Sequence, residues 1–140
     1  MTISIDSNVI AALWNARDPF NSVALAALND ARRRGLLVIA APVYAELLAG
    51  PLRTDADLDR FLTETGISVD WQFDQAIWKS AGRAFHAYAT RRRKNSKEHP
   101  RRILADFLIG AQALRHGYSL LTLDHRLYEI SFPRLPVIRL

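Results

Sequence analysis

The stretch Leu36–Ala40 reads LLVIA, five apolar residues in a row, with Gly35 before it and Pro42 just beyond. A strand with one wet face would alternate apolar and polar residues. An unbroken run this short predicts a strand covered on both faces, as in a parallel sheet between layers of helices. Thr2–Ile5 is a second such segment, β-branched and ending at Asp6. Ile67–Val69 and Ser119–Leu123, the latter ending at Asp124, are two more, and Val137–Leu140 predicts a short edge strand.

Helical patterns fill the gaps. Asp6 and Ser7 can cap a helix from Asn8 to about Asn15. A second runs from near Phe20 to Arg34, with Val23, Leu25, Ala26, Leu28 and Ala31 on its apolar side, and Gly35 stops it. Pro42 suits the opening turn of VYAELLAG, which Gly50 and Pro51 terminate. Asp55–Glu64 is another helix. A long one begins near Phe73 and buries Ile77, Trp78, Ala81, Phe85 and Tyr88. Arg102–His116 is the next, closed by Gly117. Strands alternating with helices predict an α/β fold, mostly parallel with four to five strands, in one domain spanning residues 1–140.

Four acids stand out against this pattern. Asp6, Glu46, Asp106 and Asp124 lie in ISIDSNVI, VYAELLAG, ILADFLIGAQAL and LLTLD, where solvation alone would not place a carboxylate. Asp6 and Asp124 end strands, and Glu46 opens the helix after the second strand. All three therefore fall on the carboxyl edge of the sheet, where open α/β sheets bind ligands. Asp106 sits in a helix that is apolar nearly all round, so its charge must be paired, hydrogen-bonded or metal-bound. Each acid has a structural explanation as a cap or turn residue. Together they would make an anionic pocket that a cation neutralises. Asn8 and Thr122 are placed to support them, Asn8 by holding Asp6 or a metal-bound water. Gly110 allows a neighbouring backbone to come close.

The rest of the chain is basic. Nineteen Lys and Arg against fourteen Asp and Glu give a net charge of +5. Arg91, Arg92, Arg93, Lys94, Lys97, Arg101 and Arg102 crowd one segment and suit phosphate contact, since like charges repel unless something anionic meets them. Arg32–Arg34 can equally be a solvated helix end. The chain of 140 residues has no cysteine, which excludes disulfides and thiolate chemistry and agrees with a cytoplasmic location. No signal peptide or membrane-spanning stretch is expected. Phosphate-loop, dinucleotide and serine-hydrolase motifs are missing, so no nucleotide cofactor is expected. Of the four histidines only His125, beside Asp124, invites a test of acid–base chemistry; His99 and His116 read as solvated.

In this order and at these separations the four motifs, with LLTLDHRLYEISFPRLPVI at the end, resemble PIN-domain ribonucleases. They are particularly similar to VapC-type toxins of toxin–antitoxin pairs. The resemblance covers essentially the whole chain. It implies a three-layer α/β/α sandwich, an acidic site at Asp6, Glu46, Asp106 and Asp124 with Asn8 and Thr122 in support, and Mg²⁺ or Mn²⁺ as cofactor. It also implies endonucleolytic cleavage of RNA, a homodimer, and an antitoxin that occludes the cleft. The stretch from Arg91 to Arg102 matches no motif of that family. Two rival readings are a non-catalytic nucleic-acid or protein-binding module with structural acids, and a metal-dependent DNase on the same sheet. A phosphatase is disfavoured because D-S-N lacks a second aspartate.

Overall fold

The computed structural model describes residues 1–50, 54–96 and 103–140. Its elements run β1 (Thr2–Ile5), α1 (Ser7–Trp14), α2 (Asn21–Arg34), β2 (Leu36–Ala40), α3 (Ala41–Leu48), α4 (Asp55–Thr65), β3 (Ile67–Asp70), α5 (Gln75–Ser96), α6 (Leu104–His116), β4 (Ser119–Thr122), α7 (His125–Ser131) and β5 (Val137–Arg139). The five strands form one sheet in the order β3-β2-β1-β4-β5, and every pairing is parallel. The expectation of a mostly parallel sheet resolves to an entirely parallel one.

The chain steps from β1 to β2 to β3, then crosses back over to β4 and β5. Right-handed crossovers put α1–α4 on one face and α5–α7 on the other, which makes the α/β/α sandwich. The direction of winding therefore reverses between β1 and β4, whose register aligns Ile5 with Leu121. Such a reversal leaves a crevice beyond the strand ends.

The apolar runs account for the core. Ile3, Ile5, Ile39, Leu120 and Leu121 are fully buried between the two helical layers. On α2 the buried residues are Ala24, Leu28 and Ala31. Val23 and Leu25, expected on that side, are 42% and 48% exposed. The four- and three-residue spacing of the buried set puts its neighbours on the flanks. On α5, Trp78 also departs from expectation at 50% exposure. It lies one residue off the stripe of Ile77, Ala81, Phe85 and Tyr88, about 100° round the helix, and packs on Phe73 at 6.5 Å between ring centroids.

Helix α6 is the central piece of its layer, with Phe107 through Ala113 continuously buried. Gln112 in that run is fully buried and donates from Nε2 to the carbonyls of Asp70 (3.2 Å) and Gln72 (2.9 Å). The end of β3 is thereby tied to α6. Asp70 completes the tie, accepting from the Tyr118 hydroxyl at 2.7 Å and lying 2.8 Å from His116 Nδ1. Burial would raise the Asp70 carboxyl; the Tyr118 hydroxyl, the Gln72 amide and His116 more than offset it and hold it below its ordinary value. His116, expected to be solvated at a helix end, thus has a structural partner.

Gly110 accepts close neighbours, but they are rings rather than the expected backbone. A Cβ there would collide with Phe132 Cε2, and would lie 2.6 Å from Phe132 Cδ2 and 3.1 Å from Tyr128 Cδ1. The absence of a side chain on α6 is what lets α7 and the segment after it settle on the layer.

Candidate active site

Asp6 is the residue between β1 and α1, and its backbone has the extended conformation of a helix cap (φ −72°, ψ 150°). Its side chain makes no capping hydrogen bond. The carboxylate turns instead toward the crevice, 3% exposed, where Thr122 Oγ1 donates to Oδ2 at 2.8 Å. Asn8 Nδ2 reaches the same oxygen at 3.4 Å and Thr122 Oγ1 at 3.4 Å. Asn8 Oδ1 in turn accepts from the Leu123 amide at 3.1 Å, and Thr122 Oγ1 accepts from the Asp124 amide at 3.0 Å. These bonds join the ends of β1 and β4 and fix the Asp6 side chain in one orientation.

Asp124 repeats the pattern at the start of α7, where it occupies the cap position without a side-chain capping bond. The capping explanation for these two acids therefore does not hold. Glu46, half-buried on α3, meets Asp6 through Ser7, whose hydroxyl lies 3.3 Å from Glu46 Oε1 and 3.5 Å from Asp6 Oδ1. Asp106 stands in the first turn of α6. The four acids, drawn from four separate stretches, share one electrostatic neighbourhood. Burial raises the Glu46 carboxyl above its ordinary value, with the charges of Asp6 and then Asp106 adding to it. Burial raises Asp6 too, opposed chiefly by the Thr122 hydroxyl, and the Asp124 charge pushes the same way as burial.

Two residues that the sequence did not flag belong to this neighbourhood. Ser7 was read only as a possible helix cap. Tyr128, 1% exposed on α7, turns its hydroxyl toward the Asp6 carboxylate, whose ionised form it favours. It lies near enough to the acids that, after burial, the charges of Asp6 and Asp106 hold its ionisation well above the ordinary tyrosine value. Its signal in the sequence was faint, a tyrosine one turn into a helix that follows Asp124. His125 is turned along its own helix, with Nδ1 3.7 Å from Glu129.

Among the described residues no three acids or imidazoles gather into a ready-made metal cage. Mg²⁺ retains several waters, so a loose carboxylate set suits it. The donors on hand are all hard oxygens, which fits Mg²⁺ or Mn²⁺ and not a thiophilic ion. The raised carboxyls give a test. Metal ions need these groups ionised, so Mn²⁺ affinity measured by calorimetry should be weaker at about pH 5 than at about pH 7 by roughly 10-fold or more. Equal affinity at the two values would mean that other groups hold the ion.

The basic run borders this site in part. Phe85 stacks on Phe107 at 4.9 Å and Tyr88 meets the same ring at 5.5 Å, so the second half of α5 lies along the first turns of α6. Arg91–Lys94, one turn beyond Tyr88, therefore end up beside the turn that carries Asp106. Arg91, Arg93 and Lys94 are exposed and Arg92 is half-buried. Lys97, Arg101 and Arg102 lie outside the described residues. The second cluster is a helix end: Arg33 and Arg34 each lie 3.6 Å from Asp30 on the exposed last turns of α2.

A family model for the PIN domain matches residues 3–133. The fold is shared with several solved structures. FitAB bound to an IR36 DNA fragment contains a chain with a TM-score of 0.67 at 19% identity, over 98% of this chain and 94% of that one. VapBC-1 from nontypeable Haemophilus influenzae gives 0.66 at 19%, over 99% and 98%. FitAcB from Neisseria gonorrhoeae gives 0.64 at 20%, over 98% and 96%. No curated protein matches the sequence significantly. Among the described residues no helix is long and apolar enough to cross a membrane. With an all-parallel five-stranded sheet, an acid-lined crevice at its winding reversal and a family match over nearly its whole length, this chain belongs to the PIN domain family.

Proposed function

We propose that the protein is a metal-dependent endoribonuclease, acting as the toxin of a toxin–antitoxin pair and working as a single catalytic domain. The observation that carries the reading is the Asp6 carboxylate, buried and held by Thr122 and Asn8 but not used as a cap, with Glu46, Asp106 and Asp124 around it. Structural carboxylates sit where hydrogen-bond donors or cations lower the cost of their burial, as Asp70 does. These raise it, which is the signature of a site built for a cationic ligand.

Asp6, Glu46 and Asp106 would hold Mg²⁺ or Mn²⁺, with Asp124 completing or tuning the set. When bound there, the ion supplies an acidified water for in-line attack and positive charge opposite the phosphoryl oxygens. Thr122 and Asn8 keep the Asp6 carboxylate from rotating, and Ser7 holds Glu46 and Asp6 in a fixed relation. Tyr128 closes the floor of the crevice against bulk water. The basic end of α5 provides the positive rim that an RNA strand needs to approach an anionic pocket. Attack by water requires no 2′-hydroxyl, so the products should carry 5′-phosphate and 3′-hydroxyl ends.

The partner assignment rests on the sequence resemblance and on the FitAB and VapBC-1 neighbours, each named as a complex. It entails an antitoxin that covers the crevice, and a homodimer. The function is tested with a panel of labelled structured RNAs and single-stranded DNA in Mg²⁺, in Mn²⁺ and in EDTA, with product ends identified. Metal-dependent cleavage of RNA alone, leaving 5′-phosphates, is the expected outcome. Equal cleavage of DNA would make the protein a general nuclease, and 2′,3′-cyclic phosphate ends would replace the metal mechanism with acid–base catalysis.

A further inference from the structure

A second concave site lies on the helical face formed by α5–α7. It is a cleft of about 720 Å³ lined by residues of α5 (Ala76, Ser80, Arg83, Ala84), of α6 (Ala111, Leu114, Arg115) and of the segment from Ser131 to Arg134. Arg83, Arg115 and Arg134 rim it, and among the described residues no carboxylate lines it. All three arginines are exposed, and none forms an ion pair with a described residue. The chain has acids to spare elsewhere: Asp30 pairs with Arg33 and Arg34, and Glu129 with Arg139. Ser131 adds a hydroxyl without a hydrogen-bond partner, while Ala84, Ala111, Leu114 and Phe132 give the cleft an apolar floor.

The charge and the floor ask for different parts of one ligand. Guanidinium forks match phosphate oxygens two at a time, and an apolar floor takes a planar or sugar-like group. A nucleotide unit has both, and the volume is in the range of small-ligand sites. The position relative to the acids selects the form of that ligand. Ala111 follows Asp106 by five residues on α6, a rise of about 7.5 Å. On α5, Ala84 and Arg91 are seven residues apart on one stripe, about 10 Å. Along the helix axes the near edge of the cleft is thus about one and a half turns from Asp106, and the exposed Arg91 carries positive charge past that turn on α5.

We infer that this arginine-rimmed cleft is a second RNA subsite, which holds a phosphodiester flanking the scissile one and seats its nucleoside on the apolar floor. The inference rests on the ribonuclease reading and specifies its substrate: an extended single strand, gripped at a distance from the cut. An acidic protein segment is the competing occupant, and the test includes it.

The test is binding of a labelled ten-nucleotide single-stranded RNA in EDTA, across a salt series, to wild type and to the Arg83→Gln/Arg115→Gln/Arg134→Gln protein. The exposed positions should leave the melting temperature nearly unchanged. Affinity should fall by about 10-fold or more, and the log–log salt slope by about 2, at roughly 0.7 per phosphate contact on a single strand. Arg134→Gln alone should lower the slope by about 0.7. Unchanged affinity and slope in the triple variant would overturn the inference. So would a labelled oligoglutamate peptide whose binding is lost in that variant while RNA binding is not. Cleavage of a tetranucleotide in Mn²⁺ separates the two levels. Activity equal in both proteins with unaltered RNA binding removes the subsite alone; no cleavage and no RNA binding by wild type removes the ribonuclease reading with it.

Discussion

Asp6→Asn should reduce metal-dependent cleavage by about 1000-fold or more, a loss of roughly 4 kcal/mol of barrier lowering, and should raise the stability of the metal-free protein. The two effects have one cause. Asp6 is 3% exposed and its charge is disfavoured first by burial and also by Asp124. The amide is nearly isosteric and can still accept from Thr122, so the network joining β1 to β4 stays intact. Removing a buried charge that its hydrogen bonds offset only in part should be worth about 1–3 kcal/mol, or several degrees in melting temperature for a domain of this size.

The pH sign agrees. A carboxyl raised in the folded state above its ordinary 3.8 contributes stability below that value and loses it as pH rises through the folded pKa. Wild type should therefore be penalised at neutral pH in EDTA and the variant should not. Adding Mn²⁺ should lift the wild-type melting temperature and leave the variant's unchanged. A variant that retained activity within 10-fold, or melted lower than wild type in EDTA, would return Asp6 to a structural role.

Gly110→Ala should destabilise the protein and disable it, although alanine is the better helix former. In an exposed helix the exchange gains about 1 kcal/mol, and Gly82→Ala, with open space at its Cβ position, should show that gain. At Gly110 the added methyl meets the rings of Phe132 and Tyr128, which are 4% and 1% exposed and have little room to retreat. Overpacking of this kind costs about 1–3 kcal/mol, enough to reverse the sign. Relief would come from moving α7 outward, and α7 carries Tyr128 beside Asp6 and directly follows Asp124. Cleavage should consequently fall further than the stability loss explains, when both are measured well below the melting temperature. Matching gains at Gly82 and Gly110 would mean that α7 is not seated against α6 as described.

The sequence carried the fold well for a physical reason. Strands buried on both faces are written as unbroken apolar runs, and LLVIA needs no partner to be read. Strand order was not legible, because nothing local in Ser119–Leu123 says that it pairs with a segment more than a hundred residues earlier. The acids were legible as misfits in apolar surroundings, Asp106 above all. What stayed hidden were contributors whose surroundings look ordinary. Ser7 resembles any helix-start serine, and its role depends on Glu46 arriving from α3. Tyr128 resembles a core aromatic. Trp78 misled for the reverse reason: a large apolar side chain suggested burial, yet its helical phase put it on the flank.

The pairing of β1 with β4 has a bearing on how such a protein is made. Ile3 finds Ser119 only after most of the chain exists, and the Thr122 hydroxyl that orients Asp6 arrives with the same strand. Tyr128 follows later still. Contacts between such distant segments close slowly, and a chain emerging from the ribosome in order cannot close them early. The nascent polypeptide therefore keeps its acids apart until β4 has been made. The crevice is thus assembled only once β4 and α7 have been made, and a chain interrupted before them carries its acids unassembled.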